Sequence, residues 1–172
     1  MARQYEVACV DGERLAALEA ESRAGRRRGR RASGRRAGLS GRLLAVDPDL
    51  MRLAGRALGR PVRPGYQARY LYYTRAGDHF WPHPDDPAYD AQLLLCVDRV
   101  APRAGRASAF LAYRSNGAVA RFWTSPGSAV LVSPGRVHGR EPVGRGESLV
   151  LLSIGLKFRS RRARAASRRK PE

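Results

Sequence analysis

From Gly65 onward the chain is cut by Gly, Pro and Asp into short runs of β type: YQARYLYYT, AQLLLCV, SAFLAYR, AVARFWT, SAVLVS and SLVLLSIGLKF. Runs of this length, rich in Val, Leu, Tyr and Phe and bounded by turn residues, read as strands. Several such strands at close spacing predict a β-sandwich, a barrel or a jelly roll.

The N-terminal part has a different texture. YEVACV predicts a short strand, and a helix is expected from Gly12 to Arg23, with Leu15 and Leu18 spaced for one face. The stretch RAGRRRGRRASGRRAG, residues 23–38, has no apolar periodicity and cannot bury enough surface to offset the entropy of ordering, so it reads as a loop or disordered linker. Asp47-Pro48 is a helix start with proline in the first turn; Leu50, Leu53, Ala54, Ala57 and Leu58 supply one apolar stripe ending near Gly59 and Pro61. The expected organisation is a basic N-terminal segment over residues 1–42, one β-rich domain over 43–158, and a disordered basic tail over 159–172.

At 172 residues the chain has room for one ordinary domain and a real core. It has no run of about 18 apolar residues and no apolar signal core, so neither a membrane span nor export is indicated and a cytoplasmic protein is expected. Cys9 and Cys96 are too few for a disulfide scaffold or a thiolate zinc cage; Cys96, inside QLLLCV, belongs to the core. The net charge of +18 is concentrated at the ends, with +6 in residues 1–42 (11 Arg against 5 acids) and +7 in residues 157–172 (8 Lys and Arg against 1 acid). Such tails attract polyanions non-specifically through counterion release. Lys157 and Lys170 are the only lysines, an arginine skew that codon usage in a GC-rich genome can produce by itself.

The chemistry concentrates in HFWPHPDDP, residues 79–87. Pro84 disfavours the helical region for His83, Pro87 does the same for Asp86, and Pro82 has its own φ fixed. The segment is forced to be extended, and residues two apart then project to one side, so His83 and Asp85 present an imidazole and a carboxylate to one point. A mixed nitrogen and oxygen set suits divalent iron, manganese or zinc, and two histidines plus one carboxylate leave open positions on iron. The third tooth is His138, which follows the strand SAVLVS and a Pro134-Gly135 turn. A lone His-x-Asp is common by chance; the setting of the three residues among strands is what gives it weight. His79 is a rim or surface residue, Trp81 is placed to line a substrate pocket, and Trp123 belongs to the core or to an edge-strand face.

The ordered set YQARYLYYTRAGDHFWPHPDD, LLLCVDRV and SPGSAVLVSPGRVHGREPVGRGESLVLLSIGL resembles the core of the iron(II)/2-oxoglutarate-dependent dioxygenases, in particular the prolyl-4-hydroxylase-like branch, over about residues 65–157. The resemblance implies a mainly β chain with N-terminal helices (α+β) folded as a double-stranded β-helix, a cupin-like jelly roll. It also implies iron(II) on His83, Asp85 and His138, 2-oxoglutarate chelating the iron, and dioxygen as co-substrate for hydroxylation of a C–H bond. One departure matters. The family places an arginine about ten residues after the distal histidine to pair with the far carboxylate of 2-oxoglutarate, and here that position is Ser148, with Val150 two residues on. Arg140, Arg145 or Lys157 are the candidate replacements. Tyr70, Tyr72 and Tyr73 lie on the strand that offers a hydroxyl to the cosubstrate, and the Tyr70/Tyr72 face is the expected one.

The leading expectation is therefore a single-domain oxygenase acting on a small molecule or a peptide side chain. Two rivals differ in chemistry: a metal-binding jelly roll that does not use 2-oxoglutarate, because Ser148 stands where the arginine should, and a basic nucleic-acid-associated protein whose histidines are structural.

Overall fold

The chain's strands divide between two facing antiparallel sheets. The computed structural model describes residues 2–6, 9–25, 33–65, 68–85, 87–133 and 135–160. In chain order the elements are β1 (Ala2–Glu6), α1 (Gly12–Gly25), β2 (Ser33–Arg36), α2 (Leu39–Val46), α3 (Pro48–Leu58), β3 (Val62–Pro64), β4 (Arg69–Tyr73), β5 (Phe80–His83), β6 (Ala91–Val100), β7 (Phe110–Tyr113), β8 (Val119–Phe122), β9 (Ser128–Val132), β10 (His138–Arg140) and β11 (Ser148–Phe158). The larger sheet runs β1-β9-β6-β11-β4-β2, with β3 also on β11, and the smaller runs β5-β10-β7-β8. From β4 to β11 the chain passes back and forth between the two sheets, which is the winding of a double-stranded β-helix.

β6 and β11 lie at the centre of the larger sheet, paired over nine registered positions from Ser148↔Val100 to Leu156↔Ala91. Both faces of these strands are covered, which is why they read as nearly unbroken apolar runs. On the outer face Leu152, Ile154 and Leu156 pack with Leu93, Leu95, Leu18 and Leu50 beneath the helices. On the inner face Leu149, Leu151, Cys96 and Tyr73 form one cluster and Leu94, Val130, Val132 and Phe110 another, filling the space between the sheets.

α3 starts as its sequence dictates. The Asp47 carboxylate accepts from Asp49 N–H at 2.8 Å and Leu50 N–H at 3.1 Å, Pro48 takes the first turn, and Gly59 closes the helix at φ 68°. α2 has no side-chain cap of its own. Its first turn is capped from α1, where the Glu21 carboxylate accepts from Gly38, Ser40 and Gly41 N–H at 2.9, 2.7 and 3.2 Å.

The N-terminal residues are part of the domain, so the expected seam at residue 42 does not exist. β1 extends the larger sheet on β9 and β2 extends it on β4, while α1 and α2 cover the outer face. Within the expected linker 23–38, residues 23–25 end α1, Ser33–Arg36 form β2 and Ala37 is buried. Strand β2 carries almost no apolar signal because its order comes from backbone pairing with β4. Residues 26–32 and 161–172 lie outside the described residues, as does Pro134. Among the described residues, no helix is long and apolar enough to cross a membrane.

At one end of the barrel a buried ion pair ties four segments together. Glu147 meets Arg99 at 2.8 Å and also accepts from Gly144 N–H at 2.8 Å, Ser108 N–H at 2.9 Å and Ser108 O–H at 2.8 Å. Arg99 donates onward to Ser108 O at 2.7 Å and Thr124 O at 2.9 Å. Burial alone would raise the Glu147 carboxyl pKa, but these hydrogen bonds outweigh it and hold it below its ordinary range. Glu147→Ala leaves Arg99 buried without its counter-charge and should cost about 3–5 kcal/mol in urea denaturation at pH 7. A depressed carboxyl pKa stabilises fully above the unfolded value of about 4.3 and loses that contribution as pH falls through the folded value. Glu147→Gln should therefore show a shallower loss of stability on the acid side than the parent chain.

Candidate metal and cosubstrate site

β10 is three residues long, wholly buried, and carries the site. Its neighbours are β5 on one side, with His138 opposite His83 and Arg140 opposite Phe80, and β7 on the other, with Arg140 opposite Phe110. The His83 and His138 rings lie 4.5 Å apart between centroids, and His138 Nε2 is 3.6 Å from the Asp85 carboxylate. His83, Asp85 and His138 are thus brought to one place. Two donors 3.6 Å apart can each lie about 2.1 Å from one ion. Among the described residues no three His, Cys, Asp or Glu side chains are close enough to hold an ion as they stand; His138 Nε2 and the Asp85 carboxylate are about half an ångström further apart than adjacent donors on an octahedral ion.

The imidazoles are held by their own strands. His83 Nδ1 lies 2.9 Å from Trp81 O and His138 Nδ1 lies 3.0 Å from Arg136 O, so each ring donates its Nδ1 proton to a backbone carbonyl and keeps the Nε2 lone pair for a ligand. Burial lowers the His138 pKa, against the opposing pull of Asp85, which favours the neutral ring that ligation needs.

Three backbone devices bring β5 to β10. Asp78 folds the turn after β4 by accepting from Thr74 N–H at 2.9 Å and Arg75 N–H at 3.0 Å, and Gly77 takes φ 89° within it. That turn is clamped to the segment after β10 by Gly77 N–H to Val143 O and Val143 N–H to Asp78 O, both 2.9 Å. Gly139 allows the last close approach, since a Cβ there would stand 2.8 Å from Phe80 O and 3.2 Å from Pro82 N.

A register irregularity between His138 and Arg140 changes which side chains share His83's face. Strict alternation selects Trp81; the bulge instead sets Phe80 beside His83, ring centroids 4.3 Å apart, and leaves Trp81 75% exposed against His79. Phe80 was not selected by the sequence reading because a bulge leaves no mark in composition. Phe110, stacked 5.4 Å from His138, was likewise missed, since nothing local separates it from an ordinary core residue.

No family model matches the chain, and no curated protein matches it in sequence. Solved structures match it over most of its length. The non-haem α-ketoglutarate-dependent epimerase SnoN from nogalamycin biosynthesis aligns with 91% of this chain and 77% of its own at 15% identity and a TM-score of 0.70. A prolyl-4-hydroxylase from Pseudomonas putida aligns over 92% and 93% at 18% identity and 0.65. HygX from Streptomyces hygroscopicus, solved with nickel and 2-oxoglutarate, aligns over 91% and 82% at 11% identity and 0.70. The fold is that of the 2-oxoglutarate/iron(II) oxygenases.

The structure sorts the remaining candidate residues sharply into those facing the space between the sheets and those on the outer face. Tyr70 and Tyr72 lie on the outer face. Tyr70 donates to Glu21 at 2.8 Å and Tyr72 to Ser22 O at 2.9 Å, so the favoured tyrosine face is a brace for α1 and not a cosubstrate wall. Tyr73, on the opposite face, is the one that looks inward. Arg145 is exposed in the turn before β11, and Lys157 pairs with Asp90 at 3.5 Å on the outer end of that strand. Ser148 precedes inward-facing Leu149 and so falls on the face away from the barrel interior.

Arg140 alone among the named cations points inside. It is 4% exposed, its guanidinium lies 5.5 Å from the Tyr73 ring centroid, and its hydrogen bonds are two long contacts of 3.4 Å to Ser108. Among the described residues it pairs with no carboxylate; burial, helped by repulsion from Arg99 and opposed by Tyr73 and Glu147, pulls its pKa down to about 10, which still leaves a cation at neutral pH.

Two outcomes check this placement. Tyr70→Phe should cost about 1 kcal/mol of stability through the lost Glu21 bond, with 2-oxoglutarate affinity unchanged in calorimetric titration. Gly139→Ala should push β5 away from β10 and weaken manganese(II) binding by at least about tenfold, a loss of the size expected when ligand orientation is disturbed.

Proposed function

We propose that the chain is a non-haem iron(II)/2-oxoglutarate-dependent oxygenase that hydroxylates a small molecule or a peptide side chain, with His83, Asp85 and His138 as metal ligands and Arg140 as the cation for the cosubstrate's far carboxylate. The observation that carries this reading is the pairing of His83 with His138 across β5 and β10, both Nδ1 atoms tied back and Asp85 alongside. The donor set of two imidazoles and a carboxylate fits iron(II). The buried guanidinium of Arg140 fits a dicarboxylate, because a cation that makes no ion pair among the described residues is stabilised by an anion that can reach it.

Bound iron(II) with 2-oxoglutarate would supply dioxygen activation. The chain's own part is placement and shielding. His83 and His138 keep their Nε2 lone pairs directed by donating Nδ1 protons to Trp81 O and Arg136 O. Arg140 offers a planar fork to a carboxylate, and Tyr73 beneath it limits where that carboxylate settles. Phe110, buried, and Phe80, half-exposed, flank the histidines with apolar rings, Phe110 from the barrel interior and Phe80 from the solvent side. Burial of Arg140 in the position described favours 2-oxoglutarate use over the rival metal-only jelly roll, which rests on Ser148.

Manganese(II), a redox-silent probe, should bind with a stoichiometry of one in calorimetry and lose affinity by more than about tenfold in His83→Ala and His138→Ala. Formation of succinate from 2-oxoglutarate should fall about 10- to 100-fold in Arg140→Ala at low cosubstrate, the size of a lost charged hydrogen bond, and stay unchanged in Arg145→Ala. Manganese binding with no succinate from any variant or the parent would favour the metal-only jelly roll.

A further inference from the structure

On the far side of the larger sheet, away from the histidines, an open groove of about 630 Å³ runs between α3 and β3. Its floor is apolar, from Met51 and Val62, and its rim carries Arg52, Arg56, Arg60 and Arg159, with no Asp or Glu among the lining residues. Arg52 pairs with Asp49 one turn earlier on its own helix. Among the described residues, Arg56 and Arg60 have no acidic partner. Of the acids near the groove in sequence, Asp49 is taken by Arg52, Asp47 caps α3 and pairs with Arg14 at 2.8 Å, and Asp90 takes Lys157 and Phe158 N–H, which leaves Arg56 and Arg60 as the rim's uncompensated charges.

Three of the four cations are held in place, Arg52 by Asp49, Arg60 by Phe158 and Arg159 by Val62. Arg52 and Arg56 stand one helical turn apart on α3. The Arg60 guanidinium lies 4.1 Å over the Phe158 ring, and Arg159 Nε donates to Val62 O at 3.2 Å. The helix end would by itself repel an anion, but its carbonyls are closed by Gly59 N–H to Arg56 O at 3.2 Å and Arg60 N–H to Gly55 O at 3.0 Å.

We infer that this groove docks the phosphate backbone of a nucleic acid. Arginine forks match phosphate oxygens bidentately, and several like charges gathered on one rim are stabilised by a ligand carrying repeated negative charge. The sequence continues the same sign immediately past the groove, with six Lys and Arg against one acid over residues 161–172, and the whole chain stands at +18. A regularly charged polymer matches that excess better than a short acidic peptide, which would engage the rim alone. The inference does not depend on the oxygenase reading.

Fluorescence anisotropy of a labelled 20-nucleotide single-stranded DNA with the full-length chain, titrated with salt, tests it. Arg56→Ala/Arg60→Ala should bind about tenfold more weakly at low salt and lower the slope of log K against log salt by about 1.4, as expected for two lost phosphate contacts. Arg56→Glu, which leaves Arg60 on Phe158, should lose at least as much. The control Arg103→Ala/Arg114→Ala removes two exposed charges from loops of the barrel and should change affinity less than twofold. Equal losses in the groove and control variants, or parent-like binding by both groove variants, would overturn the inference. So would polyglutamate competing as well as DNA at equal charge concentration, which would assign the groove to an acidic protein.

Discussion

The short ladder between β5 and β10 is the constraint on which the site depends. Neither strand could hold its place alone, being four and three residues long. They are fixed by the clamp of Gly77 and Asp78 onto Val143, and by the absence of a side chain at Gly139, where the Phe80 and Pro82 backbone presses in. From that ladder follow the facing of His83 and His138, the approach of Asp85, and the inward aim of Arg140. The larger sheet supplies rigidity behind it, through strands buried on both faces.

Much of this was legible in the sequence, for identifiable reasons. β11 was read to its last residue because a strand covered on both sides is a continuous apolar run with turn residues before it. α3 was read from Asp47, Pro48 and Gly59 because its start and stop signals are local. The nearness of His83, Asp85 and His138 was legible because proline spacing makes His83 and Asp85 extended, and because the apolar strand before His138 points to its return. What escaped was what depends on distant partners. α2 is capped by Glu21 from another helix, β2 is a strand only by virtue of β4, and the Phe80 for Trp81 exchange comes from a bulge. The tyrosine face was misjudged because alternation says only that Tyr70 and Tyr72 oppose Tyr73, and which face is inside is decided by where the helices pack.

Charge is used in two distinct ways. In the barrel interior two arginines are taken out of water. Arg99 is compensated by Glu147 within a hydrogen-bonded network, whereas Arg140, among the described residues, has two long contacts to Ser108 and the Tyr73 ring. A buried cation held this way would be stabilised by an anion that reached it, which is why the proposed cosubstrate role rests on it. On the surface the arginines of α3 remain hydrated, and any attraction they exert is screened by salt.

The most direct test of the central claim is the visible absorption spectrum of the anaerobic protein with iron(II), recorded before and after 2-oxoglutarate is added. The account predicts a weak charge-transfer band that appears only with both, is absent in His83→Ala, and needs a higher 2-oxoglutarate concentration in Arg140→Ala. Iron(II) binding with no band at any 2-oxoglutarate concentration would contradict it.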